Sequence, residues 1–162
     1  MYIRHSTEQD LPEILEIYAF AREQMKKNGN PTQWGDHRPS RAVIERDIDL
    51  EQSYVVCEGG EILGVFAFTV GAEPTYRVIE NGSWLNDEPY GVIHRVASAG
   101  KKSGVLSQIF TFCEGKADNI RIDTHDDNKI MQHLLERHGY QKCGRIHIDD
   151  GSPRIAYQKI TR

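Results

Sequence analysis

The stretch from Tyr90 to Gly104 constrains the fold of this chain most, because it predicts a strand, a basic glycine turn and the start of a helix. Its apolar residues run to Ala97, and Gly100-Lys101-Lys102-Ser103-Gly104 follows at once. Apolar residues then recur at helical spacing from Leu106 onward. A helix whose first turn carries free backbone N–H groups beside two lysines is typical of an anion site, and a nucleotide pyrophosphate would suit it.

Other interpretations of this turn have to be weighed against that one. Many strand-turn-helix units with a glycine and a lysine in the turn bind nothing. Where a P-loop needs its first glycine, this chain has Arg95, and it contains no Gly-x-Gly-x-x-Gly. Sites for nucleoside triphosphates and for dinucleotides are therefore weakly indicated.

Length and composition limit the class of protein. A chain of 162 residues predicts a single domain, 1–162, with room for a proper core. The formal net charge of -4 gives no general attraction to nucleic acid or anionic membranes, and no apolar run approaches the roughly 20 residues of a membrane span. Cys57, Cys113 and Cys143 lack metal spacing, and the N-terminus lacks a signal-peptide core. We expect reduced thiols in a cytoplasmic protein.

Hydrophobic periodicity and turn residues predict the order β-α-α-β-β-β-α-β-α-β-β, which is a mixed α/β sheet with helices on both faces. Ser6 and Gln9 have the spacing of a capping box at the start of the first helix. Glu58-Gly59-Gly60-Glu61 has tight-turn chemistry between two strands. The polar segment from Gly71 to Glu88 is predicted to be a long loop, part of which forms a strand, and such loops are often functional.

Two motifs carry a resemblance to a known family. Lys101-Lys102-Ser103-Gly104-Val105-Leu106 is similar to an Arg/Gln-x-x-Gly-x-Gly/Ala turn, and Asn128-x-x-Met131-x-x-Leu134-Leu135-Glu136-x-x-Gly139-Tyr140 is similar to an Asn-x-x-Ala…Tyr-Glu-x-x-Gly-Phe helix. Both occur on the expected elements, in order. The chain thereby resembles the GNAT superfamily of acyl-CoA N-acyltransferases along nearly its whole length. The resemblance implies one mixed, mostly antiparallel sheet flanked by about four helices.

The chain departs from the family pattern at two places. The link between the central strand and Gly104 is about two residues short, and Leu106 replaces a small residue, which could cost an amide contact to a pyrophosphate. Leu135 occupies the position where many members carry a tyrosine general acid. Water, Ser103 or Tyr140 remain as alternative proton donors.

The resemblance implies direct transfer of an acetyl group from acetyl-CoA to an amine. An alkyl ammonium has a pKa of about 10.4, so a base must help to remove its proton. His94 lies where many relatives carry a catalytic glutamate, and we predict that it is this base, the alternative being a core or surface histidine. Strand alternation predicts that Val92, His94, Val96 and Ser98 share one face.

The resemblance also implies the residues that would hold the cosubstrate. Backbone N–H groups at Val96 or Ala97 would stabilise the oxyanion. The remaining predicted acetyl-CoA contacts are Ser98, Lys101, Lys102, Ser103, Gly104, Val105 and Asn128. Substrate-side candidates come from the long connections, where aromatic residues can also simply pack: Gln33, Trp34, Tyr76, Trp84 and Tyr90.

The segment from Asp123 to Asn128 contains carboxylates and an imidazole, which are metal ligands. Helix starts attract such residues anyway, and we predict capping and cosubstrate contact with no metal. Two functions stay open: an N-acetyltransferase acting on a small-molecule or peptide amine, and an acyl-CoA-binding sensor without useful turnover. An exposed final hairpin is consistent with a homodimer.

Overall fold

All seven strands belong to one sheet in the computed structural model, which describes residues 1–162. The sheet order is β1-β2-β3-β4-β5-β7-β6. The strands are β1 Tyr2–His5, β2 Ser53–Glu58, β3 Glu61–Val70, β4 Gly91–Ser98, β5 Asn119–Thr124, β6 Gln141–His147 and β7 Pro153–Ile160. The helices are α1 Leu11–Lys27, α2 Arg41–Asp49, α3 Val105–Glu114 and α4 Lys129–Arg137. The predicted element order is confirmed.

Pairing within the sheet is antiparallel except between β4 and β5, which are parallel. The predicted mixed, mostly antiparallel sheet is therefore confirmed. A parallel pair needs a crossover connection, and α3 supplies it between β4 and β5. No helix of the protein has the length and apolar character that crossing a membrane would need.

The helices cover both faces of the sheet. The apolar side of α1, including Ile14 and Tyr18, packs with Ile44 of α2 on one face. On the other face, Ile109 and Phe110 of α3 pack with Leu135 of α4. Burial of these apolar stripes stabilises the fold at about 25 cal/mol per Å² of apolar surface removed from water.

The start of the first helix differs from the sequence expectation. The carboxylate of Asp10 accepts hydrogen bonds from the backbone N–H (2.8 Å) and the hydroxyl (3.2 Å) of Thr7. Ser6 is instead buried, and its Oγ lies 2.7 Å from Oγ of Ser53. The predicted capping box of Ser6 and Gln9 is wrong by one residue, and Thr7 and Asp10 form it instead. The Ser6 hydroxyl is hydrogen-bonded to Ser53 of β2 and is therefore not available to the helix.

The long segment between β3 and β4 contains little regular structure. Pro74–Tyr76 forms a 3₁₀ turn, and Glu80 makes a single bridge to Arg145 of β6, with two N–H···O bonds of 2.8 Å. No strand forms within it. The segment is held against the sheet by this bridge and by buried Tyr76.

A β-bulge at Arg95 interrupts β4. Ala67 of β3 lies opposite His94 and Val65 lies opposite Ala97, so two residues of β4 face one of β3. Arg95 has φ +51°, the left-handed region that is unusual for a non-glycine residue. The extra residue reverses the alternation beyond it.

That reversal corrects one prediction. Val92 and His94 share one face as expected, opposite to Ile93, and Val92 packs there with Tyr76 of the segment between β3 and β4. Val96 packs instead into the cluster under α3 and α4, and Ser98 pairs with Gly64 on the same side. The predicted common face for Val92, His94, Val96 and Ser98 is wrong, because a bulge shifts side-chain direction by one residue.

Candidate functional site

The two central parallel strands separate soon after they begin to pair. The backbones of β4 and β5 pair at only two positions, where Gly91 lies opposite Ile120 and Val92 lies opposite Arg121. Beyond this point a cavity of about 550 Å³ opens between the strands and under the loop that follows α1. Its walls include Ile93–Val96 of β4 and Ile122–Thr124 of β5. The opening therefore lies in the middle of the sheet.

A second cavity of about 340 Å³ continues from the first. It is bounded by the end of α1, the end of β4 and the start of α4. The two cavities share four wall residues, Met25, Val96, Asn128 and Met131. Together they form one groove across the edge of the separated strands.

The glycine turn lies beside this second cavity. None of the backbone N–H groups from Lys101 to Ser107 has an acceptor within the chain, and the first helical bond of α3 joins Gln108 N–H to the carbonyl of Gly104 at 3.1 Å. Gly104 has φ +85°, which places it in the left-handed region that glycine adopts most readily. Such a run of unpaired donors at a helix start attracts an anion.

The two lysines of the turn differ. Lys102 forms an ion pair with Glu58 of β2, whereas Lys101 is exposed and has no side-chain partner. The Val105 side chain is buried in the core, so only its backbone is available to a ligand. Of the other predicted contacts, Ser98 lines the second cavity together with Gly100 and Leu106.

Asn128 lines both cavities, but its side chain already has partners. Its Oδ1 accepts the Met131 N–H at 3.0 Å, which caps α4, and its Nδ2 donates to Oε1 of Gln33 at 3.0 Å. Gln33 also accepts a hydrogen bond from Nδ2 of Asn30. The side chain of Asn128 therefore joins the loop after α1 to the start of α4, and Gln33 is fixed in the cavity wall.

His94 faces the larger cavity. Its Nε2 lies 3.9 Å from Oε1 of Glu73, which itself accepts a hydrogen bond from the Thr75 hydroxyl at 3.0 Å. Burial, and then the charge of Arg95, lower the pKa of His94 to about 3. The imidazole is therefore neutral at pH 7, the state that accepts a proton.

The aromatic candidates divide into two groups. Trp34 lines the larger cavity and meets the ring of Tyr18 edge-on at 5.6 Å. Trp84 and Tyr90 lie outside the cavity wall and sandwich the guanidinium of Arg121, at 4.2 and 4.0 Å from their ring centres. Tyr76 is buried behind the wall. Trp84, Tyr90 and Tyr76 therefore support the wall from behind.

Tyr76 leads to a buried carboxylate that lines the cavity. Its hydroxyl donates to Oδ2 of Asp123 at 2.7 Å. Burial raises the pKa of Asp123 above its ordinary value, and burial together with Asp123 raises the pKa of Tyr76. The pair presents a carboxyl group on the same face of the sheet as His94.

Sequence reasoning missed several ionisable wall residues. Glu73, His37, Arg38 and Arg154 reach the cavity from separate loops and from β7. No local motif marks them, because they meet only when the loops fold over the sheet. Asp123 was considered only within the segment up to Asn128, as a metal ligand or helix-start residue, and its place in the cavity wall was not predicted.

Leu135, at the usual position of the general acid, and Tyr140, one of the alternative proton donors, both lie away from the two cavities. Leu135 is fully buried in the core. The Tyr140 hydroxyl donates to Glu114 at 3.2 Å at the far end of α3, and burial raises its pKa. Tyr140 lines neither cavity.

The acidic segment after β5 acts as a helix start. Nδ1 of His125 accepts the backbone N–H of Asp127 at 2.9 Å, and both carboxylate oxygens of Asp126 pair with Arg145 at 3.0 and 3.1 Å. No group of three or more histidine, cysteine or acidic side chains is arranged to hold a metal ion.

Similar solved structures place the chain in a family. No protein-family model matches it, and neither does any curated protein sequence. A GNAT-family acetyltransferase from Streptococcus agalactiae 2603 is 36% identical, with 98% of this chain and 94% of that chain covered and a TM-score of 0.87. A structure from Staphylococcus aureus Mu50 is 24% identical with both chains fully covered and a TM-score of 0.74. The NatB acetyltransferase complex bound to CoA and MES is 15% identical over 99% of each chain, with a TM-score of 0.65.

The last two similarities concern the fold alone. The separated strands, the turn with unpaired amides and the first similarity together define an acyltransferase of the GNAT type. This chain belongs to the GNAT family of acetyltransferases.

Proposed function

We propose that the protein transfers an acetyl group from acetyl-CoA to a primary amine of a small molecule or peptide. The observation that carries the proposal is the continuous groove from the unpaired amides of the turn to the cavity of His94. A long cosubstrate could lie along it with an anionic part at the turn and its acyl end between β4 and β5. CoA is present in the NatB complex, whose fold this chain shares.

The residues along the groove suit CoA chemically. The amides from Lys101 to Ser107 and the Lys101 ammonium would receive the pyrophosphate. Oδ1 of Asn30 and Oγ1 of Thr124, one in each cavity wall, are buried without a hydrogen-bond partner. Buried polar atoms normally have partners, so these two atoms fit the amide groups of a pantetheine arm. CoA would supply the activated acyl group as a thioester.

His94 is our candidate for the base. A neutral imidazole can take a proton from an ammonium, and Glu73 at 3.9 Å would offset the positive charge that then forms. The low pKa of His94 makes the transfer uphill, so the amine's own loss of a proton at higher pH should help. We expect kcat/KM to rise with pH and to show no fall near pH 6.5 from protonation of His94.

A dedicated acid is not required for this reaction. A thiol leaving group with a pKa of about 8.5 is tolerable as a thiolate. Replacing the usual tyrosine by Leu135 therefore costs about 2 kcal/mol of driving force at pH 7, at roughly 1.4 kcal/mol per pKa unit. Water or Ser103 could supply the proton.

The first experiment measures thermal unfolding with and without acetyl-CoA. A ligand at 100 times its Kd adds about 2.7 kcal/mol to the free energy of unfolding, which gives a visible rise in Tm. A panel of amines with detection of the released thiol then tests turnover. No Tm shift at millimolar acetyl-CoA would contradict the proposal.

An acyl-CoA sensor is the second candidate, favoured by Leu106 in the groove wall and by Leu135 in the core. A Tm rise with acetyl-CoA but no thiol release with any amine would support it. The homodimer and the cytoplasmic location stay predictions.

A further inference from the structure

Arg154 is a buried cation in the wall of the larger cavity. It lies on β7, and only 4% of its surface is exposed. Its guanidinium donates to the carbonyls of Pro153 at 2.8 Å and Gln33 at 3.1 Å. A guanidinium has five N–H donors, so three remain without an acceptor in the chain.

No carboxylate neutralises this charge by direct contact. Arg154 forms no ion pair within 4.0 Å, unlike Arg38, Arg95 and Arg145, which all do. Arginine stays protonated in proteins, and a charge with little access to water and no charged partner is costly. The site therefore favours an anion that comes from outside the chain.

The nearest acidic residues are engaged elsewhere. Asp123 is a diagonal neighbour across the β5–β7 pair, and it accepts the Tyr76 hydroxyl at 2.7 Å. Asp150 pairs with Arg38 at 3.2 Å and accepts the Ser152 N–H at 2.8 Å. Asp126 pairs with both ends of the Arg145 guanidinium.

We propose that Arg154 binds a carboxylate of the acceptor, so that the acceptor is a small amino acid rather than a simple amine. This inference rests on the proposed function, because it names the substrate class of the same cavity. The planar fork of arginine matches a carboxylate and can bind it through two hydrogen bonds.

The other end of the acceptor has a complementary environment. Glu73 lines the same cavity, 3.9 Å from His94, and would attract an ammonium group. A cavity with an acidic side chain beside His94 and the cation of Arg154 on β7 suits a molecule that carries both charges. A cavity of about 550 Å³ has ample room for a free amino acid.

The test compares acceptors that differ only in the carboxylate. Thiol release is measured for each L-amino acid, for β-alanine and for γ-aminobutyrate. It is also measured for the matching amides, in which an uncharged carboxamide group replaces the carboxylate. We expect kcat/KM to be at least 100-fold higher for the best amino acid than for its carboxamide, because a site built to bind a polar group rejects an analogue that lacks it. In Arg154→Met this preference disappears while the carboxamide is still turned over, which shows that the variant is folded.

Two further variants complete the design. Arg154→Lys keeps the charge but loses the fork, so an intermediate preference is expected. Arg41→Gln is the control, since Arg41 is exposed, pairs with Glu45 at 3.1 Å and lies outside both cavities. Its preference should equal that of the original protein.

A binding measurement separates this inference from the proposed function. The Tm shift caused by each amino acid in the presence of CoA is measured for the original protein and for Arg154→Met. Amine turnover without carboxylate preference would overturn the inference and leave the acetyltransferase standing. No turnover with any amine, but Arg154-dependent binding of amino acids, would overturn the acetyltransferase and support the carboxylate site. A preference that survives in Arg154→Met would overturn the inference.

Discussion

Asp47 of α2 holds the guanidinium of Arg95 through two hydrogen bonds of 2.7 Å each. Arg95 is the bulged residue of β4, and its carbonyl accepts the Tyr18 hydroxyl at 2.7 Å. Both α2 and α1 therefore contact the bulge that directs His94 and Val96 to opposite faces of the sheet. A left-handed arginine costs on the order of 1 kcal/mol or more, and these contacts offset it.

Asp47→Asn should destabilise the protein by about 3 kcal/mol, because it leaves a partly buried arginine without its counter-charge. The fall is measured by urea unfolding. Asp49→Asn is the matched control on the same helix, where the side chain is exposed and makes no ion pair, and its effect should stay within about 0.5 kcal/mol. Equal effects of the two variants would mean that the Asp47–Arg95 pair does not stabilise the bulge.

His94→Ala should lower kcat by roughly 10²- to 10⁴-fold, which is the usual contribution of a general base. The Tm rise with acetyl-CoA should be largely kept, since the turn amides and Lys101 that would hold the pyrophosphate are not altered. His147→Ala serves as control, because His147 is exposed and outside both cavities. Unaltered turnover of His94→Ala would remove it as the base.

His94 should also make stability depend on pH. Its pKa is about 3 in the folded protein and about 6.5 when unfolded, so below pH 6.5 the unfolded chain binds the extra proton. Stability then falls as the pH falls, and by pH 5 His94 should contribute a loss of about 2 kcal/mol relative to pH 7. His94→Gln should reduce this loss in urea unfolding at both pH values, whereas His147→Gln should retain it. The same loss in His94→Gln would place the titration elsewhere.

The two lysines of the turn should differ in their effect on acetyl-CoA binding. Lys101 has no partner, whereas Lys102 must leave Glu58 before it can contact a ligand. We expect Lys101→Ala to weaken binding roughly fivefold at low salt, Lys102→Ala to weaken it less, and both effects to shrink as salt is added. Lys142→Ala, on the exposed edge strand β6, is the control. A larger effect at Lys102 would show that its ion pair opens in the complex.

Much of the fold follows from local pattern. Alternating apolar residues, the Gly59-Gly60 turn and the Asn128 cap are local features, and the element order derived from them agrees with the structure. The helix-start error at Ser6 arose because a distant partner, Ser53, takes its hydroxyl. Local rules do not include such a competitor.

The functional site was harder to predict from the sequence than the fold was. His94, Gln33 and Trp34 were identified as candidates and do line the larger cavity. Tyr76, Trp84 and Tyr90 were also candidates, but aromatic residues in loops pack as readily as they bind, and here they pack around Arg121 and Asp123. Glu73 and Arg154 carried no signal, because each is an ordinary charged residue in its own segment.

The sequence by itself determined the order of strands and helices and the run of donors between β4 and α3, because these depend on neighbouring residues and on the free N–H groups at a helix start. Only the tertiary structure decided which side chains share the cavity. The bulge at Arg95 depends on Asp47 and Tyr18, which are far away in the chain, and the unpaired charge of Arg154 depends on where every nearby carboxylate finds its own partner. Burial and charge pairing are properties of the folded chain, and no short segment contains them.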